Sequence, residues 1–172
     1  SHEKFLSSLT GTVIHIIEEF ELKKISALTT PHSVFAVFEK RKTDNNFSLT
    51  ENIILALDGI QDPGNLGTII RIADWFGIMN IVCAAGTVDM YNPKVVQGTM
   101  GSLGRVNIVY TDLPEWLKKS KKTKIYAACL TGTNIKQTGR VKEGVIVIGN
   151  EANGVSDEIQ KLVDEKITIP KY

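Results

Sequence analysis

The sequence has only two cysteines in 172 residues. Cys83 and Cys129 both sit in apolar runs that read as strands, and neither has a second ligand at metal-binding spacing. A zinc or iron–sulfur framework is therefore not expected, nor any metal site. The thiols are expected to be buried and free, in a reducing, cytoplasmic compartment. Charge of one sign is also missing: 20 Lys and Arg stand against 19 Asp and Glu, a formal net charge of +1. Any nucleic-acid role must then come from a local patch, not from the overall balance. No apolar run approaches the ~20 residues of a membrane helix. Residues 13–17 are apolar but are followed at once by Glu18 and Glu19, which does not read as a signal peptide. The opening Ser1-His2 reads as a tag remnant. The sequence also lacks G-x-G-x-x-G, which excludes the dinucleotide fingerprint. What is present, 42% hydrophobic and 23% charged residues, suits an ordinary globular core. The length allows one full domain and a small appendage.

Two regions separate. Residues 1 to about 42 are mixed, with a turn at Thr29-Thr30-Pro31-His32 and a strand predicted over 34–38, and a polar linker follows over 41–46. From Asn52 onward strand and helix alternate. The apolar runs at 53–57, 125–130 and 145–148 read as buried strands, the first of them on both faces, and 81–84, 106–110 and 166–169 read as further strands. Leu66, Ile69, Ile70, Ala73 and Phe76 recur at helical spacing and Gly77 closes that helix. Asn92 caps another helix with Pro93 in its first turn. Residues 112–119 form an amphipathic helix carrying Trp116. Ser156 is expected to cap a last helix that has Asp157 and Glu158 in its first turn. Such alternation predicts an α/β fold, a mainly parallel sheet with helices on both faces. Ligands of these sheets sit at the carboxyl ends of the strands. The informative loops are those after Asp58, Leu130 and Ile148.

Two of these loops are rich in glycine. The first is Asp58-Gly59-Ile60-Gln61-Asp62-Pro63-Gly64-Asn65-Leu66-Gly67-Thr68, running on to Arg71. Gly59, Gly64 and Gly67 permit close backbone approach, and Asn65 can cap the helix that follows. The second is Val147-Ile148-Gly149-Asn150-Glu151-Ala152-Asn153-Gly154-Val155-Ser156. Glu151 there is an acid at a strand's carboxyl end, where it is poorly solvated without a partner. Either loop alone is equally a plain strand-to-helix turn.

Together the two loops resemble motifs 1 and 2 of the SpoU (TrmH) family of RNA ribose methyltransferases, in the SPOUT class. Ile167-Thr168-Ile169-Pro170 is similar to the opening of motif 3. Tyr91-Asn92-Pro93-Lys94-Val95-Val96 and Met100-Gly101-Ser102 match the stretch between motifs 1 and 2. The resemblance runs over about residues 52 to 170. It implies a C-terminal trefoil knot, a shared active site in a homodimer, and an S-adenosylmethionine pocket lined by Leu130, Thr131, Gly132, Gly149, Asn150, Gly154, Ile169 and Pro170. It implies Arg71, Asn65 and Glu151 as catalytic residues, with Glu151 orienting Arg71 or its dimer-mate. Residues 26–38 resemble the close of a small ribosomal-protein-like RNA-binding domain, so 1–48 is expected to be a partial RNA-binding domain and 49–172 the methyltransferase domain. Its basic residues Lys23, Lys24, Lys40, Arg41 and Lys42 are expected to meet phosphates. The family's motif 3 continues into further loop residues and a long helix, whereas this chain stops at Lys171-Tyr172. Lys171 stands where the family usually has an apolar residue, and Tyr172 is expected at the pocket's edge. The implied substrate is RNA, ribosomal RNA favoured over transfer RNA. The competing readings are a transfer RNA methyltransferase, an RNA-binding member without catalysis, and a flavodoxin-like nucleotide-binding domain.

Overall fold

The computed structural model describes residues 9–26, 28 and 30–170. The expectations for Ser1-His2, Thr29, Lys171 and Tyr172 lie outside these. Contacts divide the chain into two compact units, 1–40 and 41–172. The boundary thus falls before Arg41, ahead of the expected break at 48/49.

In the first unit, helix α1 (Glu19–Ile25) is held by a capping box. Glu18 and Glu21 satisfy each other's backbone N–H groups, and Leu22 is its one buried residue among those described. The strand predicted over 34–38 is not formed. Val37 and Phe38 are each 85% exposed, and no described residue pairs with that segment. An apolar run makes a strand only where a ladder partner exists.

The second unit is built on six parallel strands: β1 (Ile53–Asp58), β2 (Asn80–Ala84), β3 (Asn107–Thr111), β4 (Ile125–Asn134), β5 (Gly144–Gly149) and β6 (Glu165–Thr168). Their order across the sheet is β3-β2-β1-β5-β4-β6. Between them lie helices α2 (Pro63–Trp75), α3 (Pro93–Gly98), α4 (Leu113–Lys119) and α5 (Asp157–Gln160).

Strand side chains point alternately to the two faces, so each strand feeds two cores. Leu55, Leu57, Ile81, Cys83 and Ile108 meet Leu66, Ile70 and Ala73 of α2 and Val95 of α3. Ile54, Ala56, Val82, Val145 and Val147 meet Leu113 and Leu117 of α4 and Ile159 of α5. This double burial is why the strands read as unbroken apolar runs. Cys83 is fully buried, and burial pushes its thiol pKa up to about 12. Cys129 corrects the expectation of two buried thiols. It is only half-buried, at the point where β4 leaves the ladder.

The segment after Lys40 is strapped to the second unit. The Arg41 guanidinium donates to the Gly104 carbonyl (3.0 Å), and the Tyr91 hydroxyl donates to the Arg41 carbonyl (3.3 Å). Asp44 exchanges two bonds with the Asn107 side chain. Phe47 stacks obliquely on Trp116 at 6.3 Å. Tyr110 pins the 88–90 turn: its hydroxyl donates to the Val88 carbonyl and accepts from the Met90 N–H.

Candidate active site

β1 and β5 are neighbours in register from Ile53↔Gly144 to Asp58↔Gly149, so the two glycine-rich loops leave the sheet side by side. Three hydrogen bonds then clasp them. The Asn65 amide donates to Glu151 Oε1 at 2.9 Å. The Asn150 amide donates to the Gly59 carbonyl at 2.8 Å. The Ser156 N–H donates to Asp58 Oδ2 at 2.7 Å. Backbone N–H groups of Gln61 and Asp62 also face the Glu151 carboxylate. The Asn65 hydrogen bond, and then these N–H groups and that of Glu151 itself, hold the Glu151 carboxyl below its ordinary range.

Two capping expectations are corrected. Asn65 does not cap α2. Proline opens the helix at Pro63, so the cap falls on Asp62, which accepts from the Asn65 N–H at 2.8 Å. That leaves the Asn65 side chain free to cross to Glu151. Ser156 occupies the cap position of α5, but its side chain makes no capping bond. Asn92 caps α3 as expected, accepting from the Lys94 N–H.

Arg71 is exposed and makes no ion pair or hydrogen bond among the described residues. It follows Asn65 by six residues, which on an α-helix is about 9 Å of rise and roughly 240° of net rotation. The two side chains therefore leave α2 in different directions. Within one chain Glu151 engages Asn65, not Arg71, which corrects the expected Glu151–Arg71 partnership for a single chain.

The residues of the expected cofactor pocket fall into two kinds. Ile167 stands opposite both Ala128 and Thr133, so residues 129–132, including Leu130, Thr131 and Gly132, are extruded from the β4–β6 ladder. Bulges of this kind re-aim side chains at functional sites. Leu130 (89% exposed), in the extruded part of β4, and Ile169 (77%), just past the end of β6, carry bare apolar side chains, and Pro170 follows Ile169, half-buried. The Leu130 carbonyl accepts from the Thr168 hydroxyl at 3.1 Å. Asn150, Gly149 and Gly154 instead build the loop. The backbone groups of Asn150 and Gly154 bond each other, and the Asn150 side chain also accepts from the Ala152 and Asn153 N–H groups. A Cβ on Gly149 would lie 2.1 Å from Gly154 C, and one on Gly132 would lie 2.4 Å from the Lys166 carbonyl. Both glycines are thus demanded by chain crossings.

Sequence reading missed Asp58 and Asp62 as clasp and cap. The hint was an acid at each end of the first loop. Of the five basic residues expected to meet phosphates, Lys23 pairs with Glu19, Lys24 lies over the Phe20 ring and Arg41 holds Gly104. Lys42 lines a shallow cleft beside Tyr91 and Asn107. Lys40 also has a partner within the protein.

Residues 52–172 match the SpoU rRNA Methylase family. The chain is 28% identical to the 23S rRNA guanosine-2553 2′-O-methyltransferase of Bacillus subtilis over 95% of this chain and 66% of that protein. It superposes on a TrmH-family protein of Porphyromonas gingivalis with a TM-score of 0.81 at 31% identity, covering 98% of this chain and 70% of that one. The SpoU methyltransferase AviRb of Streptomyces viridochromogenes, solved in complex with AdoMet, is similar at a TM-score of 0.65 and 26% identity over 71% of this chain and 52% of that one. The chain thus spans about two thirds of the Bacillus relative and half of the Streptomyces one. With its parallel sheet and two clasped motif loops, this chain belongs to the SpoU rRNA methylase family.

Proposed function

We propose that this chain methylates a ribose 2′-hydroxyl in RNA, using S-adenosylmethionine, with ribosomal RNA favoured over transfer RNA. The observation that carries the proposal is the clasp of Asn65 on Glu151 at the carboxyl ends of β1 and β5, with an unpaired Arg71 six residues further along α2. The ribosomal substrate is supported by the Bacillus relative, named for 23S rRNA, and the cofactor by the AdoMet complex of the Streptomyces relative.

The residues present fit the cofactor. Leu130 and Ile169 offer apolar side chains suited to the faces of an adenine, and the extruded 129–132 backbone offers polar groups for its edge. When bound, S-adenosylmethionine supplies an electrophilic methyl on a sulfonium. The work of this chain's residues is then positioning and electrostatics. A guanidinium is effectively always charged and makes a poor base. Arg71 instead grips the phosphate beside the target ribose and stabilises the negative charge growing on the 2′-oxygen. Asn65 and Glu151 hold the motif 1 and motif 2 loops at a fixed separation, and Glu151 also meets the arginine of a partner chain.

That partner belongs to the proposal, which is of a homodimer. Ile72, Trp75, Phe76 and Met79 leave one side of α2 and its end bare, with Trp75 85% and Phe76 73% exposed, on the same helix as Arg71. Burying side chains of this size contributes about 1.5–3 kcal/mol each. The proposed C-terminal segment threads a trefoil knot, and the proposed compartment is the cytoplasm, consistent with two free thiols. The experiment is transfer of labelled methyl from S-adenosylmethionine to purified ribosomal and transfer RNA, followed by nucleoside analysis. A labelled 2′-O-methyl nucleoside from ribosomal RNA is expected. Label on a base, or on transfer RNA alone, overturns the reading.

A further inference from the structure

The overall charge is nearly balanced, yet one short stretch is strongly basic: Lys118, Lys119, Lys121, Lys122 and Lys124 fall within seven residues. All five are exposed. Two are neutralised locally, since Lys118 pairs with Glu115 and Lys124 with Glu165. Lys119, Lys121 and Lys122 have no ion pair or side-chain hydrogen bond among the described residues.

Lysines ending a helix complement its dipole. That accounts for Lys118 and Lys119 in the last turn of α4, but Lys121 and Lys122 lie beyond it. The turn that carries them is fixed. Ser120 is buried, its hydroxyl donates to the Trp116 carbonyl at 2.8 Å, and its own carbonyl accepts from the Thr123 N–H at 2.9 Å. The three free ammonium groups therefore project from a rigid base, which lowers the ordering entropy of any contact they make.

Their place in the fold selects the partner. The turn leads directly into Ile125, the first residue of β4, so it lies at the amino edge of a parallel sheet. The methylation site lies at the carboxyl edge. The paired part of β4 between them, from Ile125 to Ala128, spans about 10 Å at ~3.3 Å per residue. Lys142, exposed and two residues before β5, adds to the same edge. We propose that Lys119, Lys121 and Lys122 form a second RNA-backbone contact, one that holds a structured RNA at the amino ends of the strands while its target ribose sits at their carboxyl ends. The inference rests on the methyltransferase reading for the choice of RNA as the polyanion.

The test uses the full chain and a Lys119→Gln, Lys121→Gln, Lys122→Gln variant. Binding of a fluorescein-labelled RNA hairpin is measured by anisotropy across a salt series, with circular dichroism as the check on folding. The variant is expected to bind more weakly, with a log–log salt slope shallower by roughly 0.7–0.9 for each phosphate that is no longer neutralised. In methyl transfer to ribosomal RNA its KM should rise while kcat is kept. Equal affinity and equal slope for variant and wild type overturn the inference. So does loss of binding to anionic phosphatidylserine vesicles with hairpin binding unchanged. Failure of the methyltransferase reading would appear separately, as no methyl transfer by the wild-type chain, and the hairpin comparison is read in either case.

Discussion

Asn65 and Glu151 lie 86 positions apart in sequence and 2.9 Å apart in space. The bond predicts a titration. Because the Asn65 amide donates to the carboxylate, the Glu151 carboxyl is held below its ordinary range. A depressed carboxylate stabilises the clasp at every pH above its unfolded value and loses that contribution only as pH falls through the lowered folded value. Carboxyl NMR should place the Glu151 midpoint below that of an unstructured glutamate, and Asn65→Ala should raise it; an unmoved midpoint means the bond is not formed in solution. Asn65→Asp would set two carboxylates against each other and should cut methyl transfer more than Asn65→Ala. For Arg71→Ala, loss of turnover with S-adenosylmethionine binding largely kept is expected, by single-turnover assay and calorimetry. Arg71→Lys should also be poor, since lysine keeps the charge but not the planar fork; near-normal turnover would show that a point charge suffices. The residue types and spacings of both loops were legible in the sequence. The capping role of Asp62 was not, because Asp62 and Asn65 are both good caps and only the proline at the helix start decides between them.

At the scale of elements, β1, β2 and β5 were legible because burial on both faces leaves continuous apolar runs, while β3 and β6 carry polar residues at Asn107, Lys166 and Thr168. Two features were hidden because they depend on partners distant in sequence. The 34–38 segment has strand composition but no ladder partner among the described residues. The extrusion of 129–132 looks like strand in sequence and exists only because β6 pairs on both sides of it. Glycine marks the tightest approach between helices. A Cβ on Gly67 would lie 3.0 Å from Gly98 Cα and 3.1 Å from the Val95 carbonyl, whereas one on Gly98 would sit at an ordinary 3.4 Å from Gly67. Gly67→Ala must therefore push α3 away from α2, at a cost of about 1–3 kcal/mol. Gly98→Ala should be near neutral or slightly stabilising. Thermal denaturation of the two variants checks this asymmetry, and equal loss in both would show that the helices do not cross as described. Gly132→Ala should be worse than either, since its Cβ meets the Lys166 backbone and its φ of +155° disfavours side chains.

For the whole molecule, the question is how a site whose arginine leaves α2 away from Asn65 can be complete. Arg71 shares its helix with Ile72, Trp75 and Phe76, all exposed. A twofold dimer through that face would bury the apolar group and carry each Arg71 toward the loops of the other chain. Light scattering at micromolar concentration should then give twice the chain mass, and Trp75→Glu should reduce it to one. Complementation tests whether the site is shared. Arg71→Ala removes the arginine and leaves the cofactor shelf intact. Leu130→Asp places a charge on the exposed apolar shelf and leaves the arginine intact, and being 89% exposed it should not disturb the core. Each variant alone should be inactive. Co-refolded in equal amounts, half of the dimers are mixed, and each mixed dimer has one site with both a sound shelf and an arginine from across the interface. Activity should return to about a quarter of the wild-type value per chain, as random assortment of a twofold dimer requires. If each chain completed its own site, the mixture would stay inactive at every ratio, and the arginine would have to reach the motif 2 loop within one chain.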